Sequence, residues 1–461
     1  MRLPALIVAL CACHPSATTS SSAQALVECA PVTAFGAVPN DGLDDAAAIQ
    51  ASLDLGCLNL RDAPGRYEID VPPLNQRALW VLRSPAGTRF YGAGPSSVLA
   101  WRGSAGGDDV WGVRIDSQTV IEDIHFDGDG LSNTNEHAPL IFWVGPVDDV
   151  VARRLSFNYP VRAGQKRGDC IQGVGYAPDM LSTNITIERN NFDSCGRAAF
   201  AYHSGTRGLT YKHNHHRCVS DGELDGEGRG NEPHLLLDGA EIAYNVFDTC
   251  ADQEGGNSIQ LVRAANVNMH HNDLNGRGVD LAEVSGVLHH NKIVMLINDE
   301  GLPNVQIRKG STGLRLHNER YTRVATGGNV IMIENNGIAP HDIRIEDSRL
   351  VQHASWQAIR IAGSYDVTLS DLEIVGLGAI ARAAVLLEGI RAPVYDVRVF
   401  DGDFTGNLSS AVEISGAYQG AGAVTVERTS APAPVRCTDA GGITAPVQLA
   451  DNVMPAPVGC P

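Results

Sequence analysis

The sequence predicts an all-β fold: a single-stranded right-handed parallel β-helix with a short N-terminal capping helix. Three observations carry this. A short motif recurs along the chain: apolar-x-apolar, two residues, asparagine, one residue, apolar. It reads Ile185-x-Ile187-x-x-Asn190-x-Phe192, and its copies begin again at Leu209, Ala240 and Val267. Second, no helical stretch of a dozen residues separates the copies, which excludes a doubly wound sheet. Third, the 461 residues include 49 glycines but only 6% aromatics, a composition suited to short strands joined by many tight turns.

The elements follow in chain order. Residues 1–25 read as a secretory signal and a Ser/Thr-rich tether, because an arginine precedes an apolar stretch too short to span a bilayer. Two processing sites fit. Leu10-Cys11-Ala12-Cys13 has the form of a bacterial lipobox, which would lipidate Cys13. Ala23-Gln24-Ala25 has the form of an ordinary signal-peptidase site. Both place the mature chain outside the cytoplasm, secreted or lipid-anchored at the cell envelope, where disulfides are permitted. Eight cysteines remain. Cys29 with Cys57 and Cys437 with Cys460 suit staples at the two ends, and the absence of a CxxC pair argues against a zinc site of that kind.

Residues 29–430 carry the repeat. Each half-unit alternates apolar and polar residues, as a strand with one buried face does. Units of 20–30 residues cannot bury that face alone and must stack on copies of themselves. Looser copies start at Ile343, Val367, Val397 and Val424. Residues one coil apart then sit about 4.8 Å apart. Asn190, Asn214, Asn245, Asn272 and Asn291 are expected to form a stacked amide ladder, and Cys195 and Cys218 to be neighbours in another column. Residues 431–461 are expected to form a disulfide-stapled cap or tail.

Residues 34–101 add a more specific signal. They read Ala34-Phe35-Gly36-Ala37-Val38, Asp41-Gly42-x-Asp44-Asp45-Ala46-Ala47-Ala48-Ile49-Gln50, Pro64-Gly65-x-Tyr67-x-Ile69 and Tyr91-Gly92-x-Gly94. This resembles the N-terminal signature of the pectate lyase superfamily, which includes pectate lyases, polygalacturonases, rhamnogalacturonases, mannuronan epimerases and phage tailspikes. Asp44 and Asp45 stand where a helix N-cap belongs. Ala46, Ile49 and Leu53 make one apolar helix face, suited to closing the open end of the coil stack. The signature concerns the fold and leaves activity to the sites.

The formal net charge of −18 argues against nucleic-acid binding. Charge is uneven, however. Residues 153–217 hold ten Lys/Arg against four acids, and residues 221–254 hold ten acids against Arg229 alone. A basic stretch on an acidic protein can focus a polyanion, or its charges can be spread around the coil and cancel. Nine of the 15 histidines lie between His203 and His290. The pairs His270-His271 and His289-His290 recur at one place in the motif and read as turn residues facing solvent.

Three constellations carry candidate chemistry. Asp221, Glu223 and Asp225, with Gly226 following, have the spacing of a calcium loop. Glu232-Pro233-His234 is similar to the Asp-Pro-His motif of mannuronan C5-epimerases, with Glu for Asp. That resemblance implies His234 as a catalytic base or acid tuned by Glu232, with Arg197, Arg207 or Arg263 neutralising the substrate carboxylate. His203 is a further catalytic candidate in the same region. Finally, Asp169 in Gly168-Asp169-Cys170-Ile171, together with Asp238, could form the carboxylate pair of a polygalacturonase-type hydrolase. The expected activity is proton abstraction at C5 of a uronate in an acidic polysaccharide, as a lyase or epimerase. A glycoside hydrolase and a non-catalytic carbohydrate-binding scaffold are the alternatives.

Overall fold

A computed structural model of the chain describes residues 29–72, 80–106, 111–133, 138–160, 168–174, 181–203, 205–219, 222–226, 236–250, 256–296, 301–389, 394–415, 423–438 and 446–460. The chain winds as a parallel β-solenoid of about 11 turns, 60% strand and 4% helix. It is right-handed, as parallel crossovers overwhelmingly are. Each turn visits three sheets. Sheet I contains Ile171–Val174, Ala198–Tyr202 and Gly222–Asp225. Sheet II contains Ser182–Glu188, Thr206–Lys212 and Leu237–Ala243. Sheet III contains Asn191–Asp193, His215–Arg217 and Val246–Asp248. Every strand pairs in parallel with its counterpart one coil away. Ile185, Leu209 and Ala240 share one register position, and so do Phe192, His216 and Phe247.

The inward residues of the motif fill the core. Ile185, Ile187, Leu209, Tyr211 and Ile242 are buried, and rings stack along sheet III from Trp101 through Phe126, Phe157, Phe192 and His216 to Phe247. His216 is therefore an interior ring. Burial holds its imidazole well below the usual histidine range, and its Nε2 lies 3.1 Å from the Tyr211 hydroxyl. The repeat itself carried this signal, since His216 occupies the position of Phe192 and Phe247.

The amide ladder forms as expected. Asn190 Nδ2 donates to Asn214 Oδ1 at 3.1 Å, Asn214 to Asn245 at 3.1 Å, Asn245 to Asn272 at 2.9 Å and Asn272 to Asn291 at 2.9 Å. The backbone N–H of each ladder asparagine donates to the same Oδ1, and its Nδ2 also reaches a carbonyl of the preceding coil. The ladder continues into Glu319, whose Oε1 accepts from Asn291 Nδ2 at 2.9 Å. Before each rung stands a non-glycine residue in the left-handed region: Arg189, His213, Tyr244, His271, His290 and Asn318, with φ from 54 to 58°. Such backbone costs about 1–3 kcal/mol where nothing enforces it; here the rung hydrogen bonds on either side do. The rungs lie 24, 31, 27 and 19 residues apart in sequence.

The predicted helix is present at Ala46–Asp54, with Ile49 and Leu53 fully buried against the first coil. Its two aspartates serve differently from a simple N-cap. Asp44 Oδ1 accepts from Ala46 N at 3.2 Å and Asp70 N at 2.9 Å, while Asp45 Oδ1 turns back to Val38 N at 2.9 Å. The pair thus ties the helix start to the neighbouring strand and the preceding turn. At the other end, Arg436–Thr438 and Val447–Ala450 still add to the coil stack.

Four disulfides join residues one coil apart: Cys29–Cys57, Cys170–Cys195, Cys218–Cys250 and Cys437–Cys460. The two end staples match the sequence reading. Cys195 pairs back to Cys170 and Cys218 forward to Cys250, so these two are not each other's partners. The Cys29–Cys57 bridge closes a 28-residue separation. The Cys29→Ser/Cys57→Ser double variant is expected to lose about 2–4 kcal/mol of stability, read as a lower denaturation midpoint. An unchanged midpoint would show that the N-terminal coil is held by packing alone. Residues 1–28, which contain both processing sites, lie outside the described residues.

Candidate functional site

Three consecutive strands of sheet I bring four sequence-predicted residues together. Asp169 precedes the first, Arg197 and His203 flank the second, and Asp225 ends the third. Arg197 Nε and Nη2 each donate to Asp169 at 2.9 Å, a two-pronged contact that also receives the Ala198 N–H at 3.2 Å. Arg197 Nη1 lies 3.4 Å from Asp225 Oδ2, and Nη2 lies 3.0 Å from His203 Nε2. All four residues are buried, Asp169 completely. A guanidinium has no acceptor. The short Arg197–His203 contact therefore assigns the lone pair to His203 Nε2 and, in the neutral ring, the proton to Nδ1.

Close packing holds this arrangement. A Cβ at Gly226, next to Asp225, would lie 2.2 Å from the Tyr202 hydroxyl oxygen. Tyr202 is buried, and burial together with the charge of Asp225 raises its hydroxyl above the ordinary tyrosine value. Strand Gly222–Asp225 also carries Glu223, which is fully buried. Thr249 Oγ1 lies 3.5 Å from its Oε1. Burial pushes this carboxyl up to about 7, with the nearby Arg277 pulling it down. Glu223 and Asp225 thus lie on extended backbone, and their carboxylates face Thr249 and Arg277 in one case and Arg197 in the other. Asp221, the third member of the calcium-like spacing, is outside the described residues, as are Glu232 and His234.

Asp238 and Arg207 sit on sheet II instead, directly opposite one another in the register of adjacent strands. Arg207 Nε donates to Asp238 Oδ2 at 3.2 Å, and Asn266 Nδ2 donates to Oδ1 at 2.9 Å. Asp169 and Asp238 therefore serve different arginines on different sheets. Arg263 is buried at the bend after sheet I, where its carbonyl accepts from Leu236 N at 2.9 Å.

Among the described residues of the basic stretch at 153–217, the cations are largely paired with acids. Arg153 and Arg154 pair with Glu122, Arg197 with Asp169, Arg207 with Asp238, Lys212 with Glu241 and Arg217 with Asp193. Most partners come from neighbouring coils, where like sequence positions are brought side by side. Arg162, Lys166 and Arg167 lie outside the described residues.

Sequence reasoning missed a second feature. An open groove of about 960 Å³ runs along the ladder corner and sheet III, with His271, His290, Lys292, Arg320 and Arg349 in its wall. Lys292, Arg320 and Arg349 occupy one outward column on consecutive coils. Lys292 pairs with Asp273 at 3.0 Å and Arg349 with Glu373 at 3.0 Å; Arg320 has no ion-pair partner among the described residues. The signal was the residue after each ladder rung. It became hard to follow because Glu319 and Ser348 stand where the motif has asparagine.

No protein-family model matches the sequence, and no curated protein does. Among solved structures, the chain is similar to the Pseudomonas phage phi297 tailspike gp61, at 9% identity and a TM-score of 0.57, over 88% of this chain and 81% of that one. It is also similar to the N-terminal fragment of the bacteriophage Phi29 gene product 12, at 11% identity and a TM-score of 0.50, over 92% and 66% of the two chains. The A-module of the Azotobacter vinelandii mannuronan C-5 epimerase AlgE4 aligns at 17% identity over 94% and 96%, with a TM-score of 0.38. At these identities the tailspike and the phage fragment share the fold with this chain, and nothing further follows from the likeness.

Proposed function

We propose that this is an exported polysaccharide-acting protein that moves the C5 proton of a uronate in an acidic polysaccharide, as a lyase or epimerase. The observation that supports this is the meeting of Asp169, Arg197, His203 and Asp225 from three consecutive coils. Removing H5 leaves an electron pair that the C6 carboxylate must accept. The pair then either expels the 4-O substituent, giving a C4–C5 double bond, or takes a proton back on the other face. Both outcomes need a fixed proton-transfer group and a cation near C6. In this reading His203, with its proton on Nδ1, is the acid that protonates the leaving 4-O or C5, and His234 is the base that takes H5. Arg197 is a positioning residue, fully engaged by Asp169, Asp225 and His203. Arg207 lies four residues beyond His203, is 62% exposed and is held by one 3.2 Å contact, so it can turn toward the substrate carboxylate. Glu232 and His234 complete the expected set.

The same geometry weighs against the hydrolase alternative. That alternative needs Asp169 and Asp238 to converge, and they serve different arginines on different sheets, Arg197 and Arg207. A binding role without turnover is favoured by one feature, the occupied Nε2 of His203.

Incubation with polygalacturonate, alginate and related polymers, followed by ultraviolet absorbance and proton NMR, tests the reading. New unsaturation or epimer signals are expected. His203→Gln should lower turnover by about 100-fold or more with an unchanged melting temperature. New reducing ends without unsaturation would point to hydrolysis, and saccharide binding with no product on any polymer would point to a scaffold. Activity that survives His203→Gln would remove His203 from the chemistry.

A further inference from the structure

Five imidazoles gather on three consecutive coils at the ladder corner, away from the site above. His270 and His271 close one coil, His289 and His290 the next, and His317 the one after. The rings stack in two columns. His270 and His289 have centroids 4.8 Å apart, His289 and His317 5.2 Å, and His271 and His290 4.9 Å. Within each coil the two Nδ1 atoms face one another at 3.0 Å, so one nitrogen of each pair donates and the other keeps its lone pair inward. His271 and His290 owe their direction to left-handed backbone, φ 54 and 57°, which the rungs Asn272 and Asn291 enforce. They are exposed, His289 is half-buried, and one ring nitrogen from each of the three lies within 4.8 Å of the others.

We propose that His271, His289 and His290 form a binding site for a late first-row divalent cation of the zinc, nickel or copper class. The donor set is all imidazole, which suits these borderline metals and not calcium or magnesium, whose shells are built from oxygen. Metal–nitrogen bonds of about 2.0–2.1 Å place tetrahedral donors roughly 3.4 Å apart. The three nitrogens now lie within 4.8 Å of one another, so binding would draw them inward to that value. Three protein ligands leave one position for water or an anion. His271 and His290 also line the groove, whose wall carries both cations, Lys292 and Arg320, and acids, Asp347, Asp371 and Glu373, so that position opens onto a charged surface.

The test is calorimetric titration of the untagged full-length chain with zinc sulfate, and separately with calcium chloride. A single zinc per chain with micromolar or tighter affinity is expected, with no comparable calcium binding. His271→Asn and His290→Asn keep a residue type that tolerates left-handed backbone, and each should weaken zinc by at least about tenfold. His341→Asn, remote from the cluster, should not. Cobalt loading should give visible ligand-field absorption that zinc abolishes. Zinc binding weaker than about 100 µM, equal calcium binding, or zinc affinity unchanged in both asparagine variants would overturn the proposal. Circular dichroism of the metal-free variants confirms that each is folded when its affinity is read.

Discussion

Asn245→Ala is expected to lower the free energy of unfolding by about 3–5 kcal/mol. Asn245 Oδ1 receives both the backbone N–H and the Nδ2 of Asn214, at 2.9 and 3.1 Å, while its own Nδ2 serves Tyr211 O at 3.0 Å and Asn272 Oδ1 at 2.9 Å. Alanine would leave the Asn214 backbone N–H and the Tyr211 carbonyl without these partners, strand one of the two Asn214 amide hydrogens, and open a gap where the amide stood. Each orphaned group costs about 1–3 kcal/mol, and water has no route in, because the rungs above and below are themselves buried. Tyr244, just before it, would also lose the contacts that hold its φ at 58°. The measurement is the urea midpoint, compared with Asn268→Ala on the exposed face of the adjacent coil, where a change within about 0.5 kcal/mol is expected. Equal effects from the two would mean that the ladder is ornament to a core held by apolar packing.

Stability should also fall with rising pH, in a window set largely by Glu319. This carboxyl ends the amide ladder, and burial raises it from its ordinary 4.5 up to about 8. Between those values the folded chain holds a proton that the unfolded chain has released. Stability is therefore full below about pH 4.5 and is lost as pH climbs through 8. The span corresponds to roughly 3–5 kcal/mol. Glu319→Gln removes the ionisation and keeps an oxygen for Asn291. It is expected to match the parent near pH 5, exceed it by several kcal/mol near pH 9, and flatten the profile between. A variant with the parent's slope would locate the titration elsewhere, Glu223 being next in line since burial pushes it up to about 7.

Much of this was legible in the residues. The Asn-bearing motif fixed both the parallel pairing and the ladder, because only stacked copies can bury its face. Asp169 and Arg197 lie 28 residues apart, and so do Arg197 and Asp225, which is one coil each. Their meeting was therefore readable from spacing. The charge of residues 153–217 was not, because whether an arginine is spent depends on the acid stacked beside it, and that acid is often in the next coil. Cysteine pairing escaped for a related reason. Cys195 and Cys218 are a coil apart in count and share the turn from sheet III to sheet I, yet Asp193 stands opposite Arg217, so the residue level with Cys218 is Ser194, and the two cysteines pair with Cys170 and Cys250 instead. His271 and His290 were legible as exposed turn residues, but His270 and His289 end strands, with His270 buried, and the gathering needs the 19-residue step from Asn272 to Asn291 that brings the pairs level.

The uneven steps between ladder rungs have a consequence for how such a molecule can diversify. A coil may be 19 or 31 residues long while its rung stays in line. The surplus is expelled at the other corners, where loops are added or shortened without disturbing the stack. The scaffold is a chassis with a fixed datum edge, and its specificity elements are interchangeable fittings.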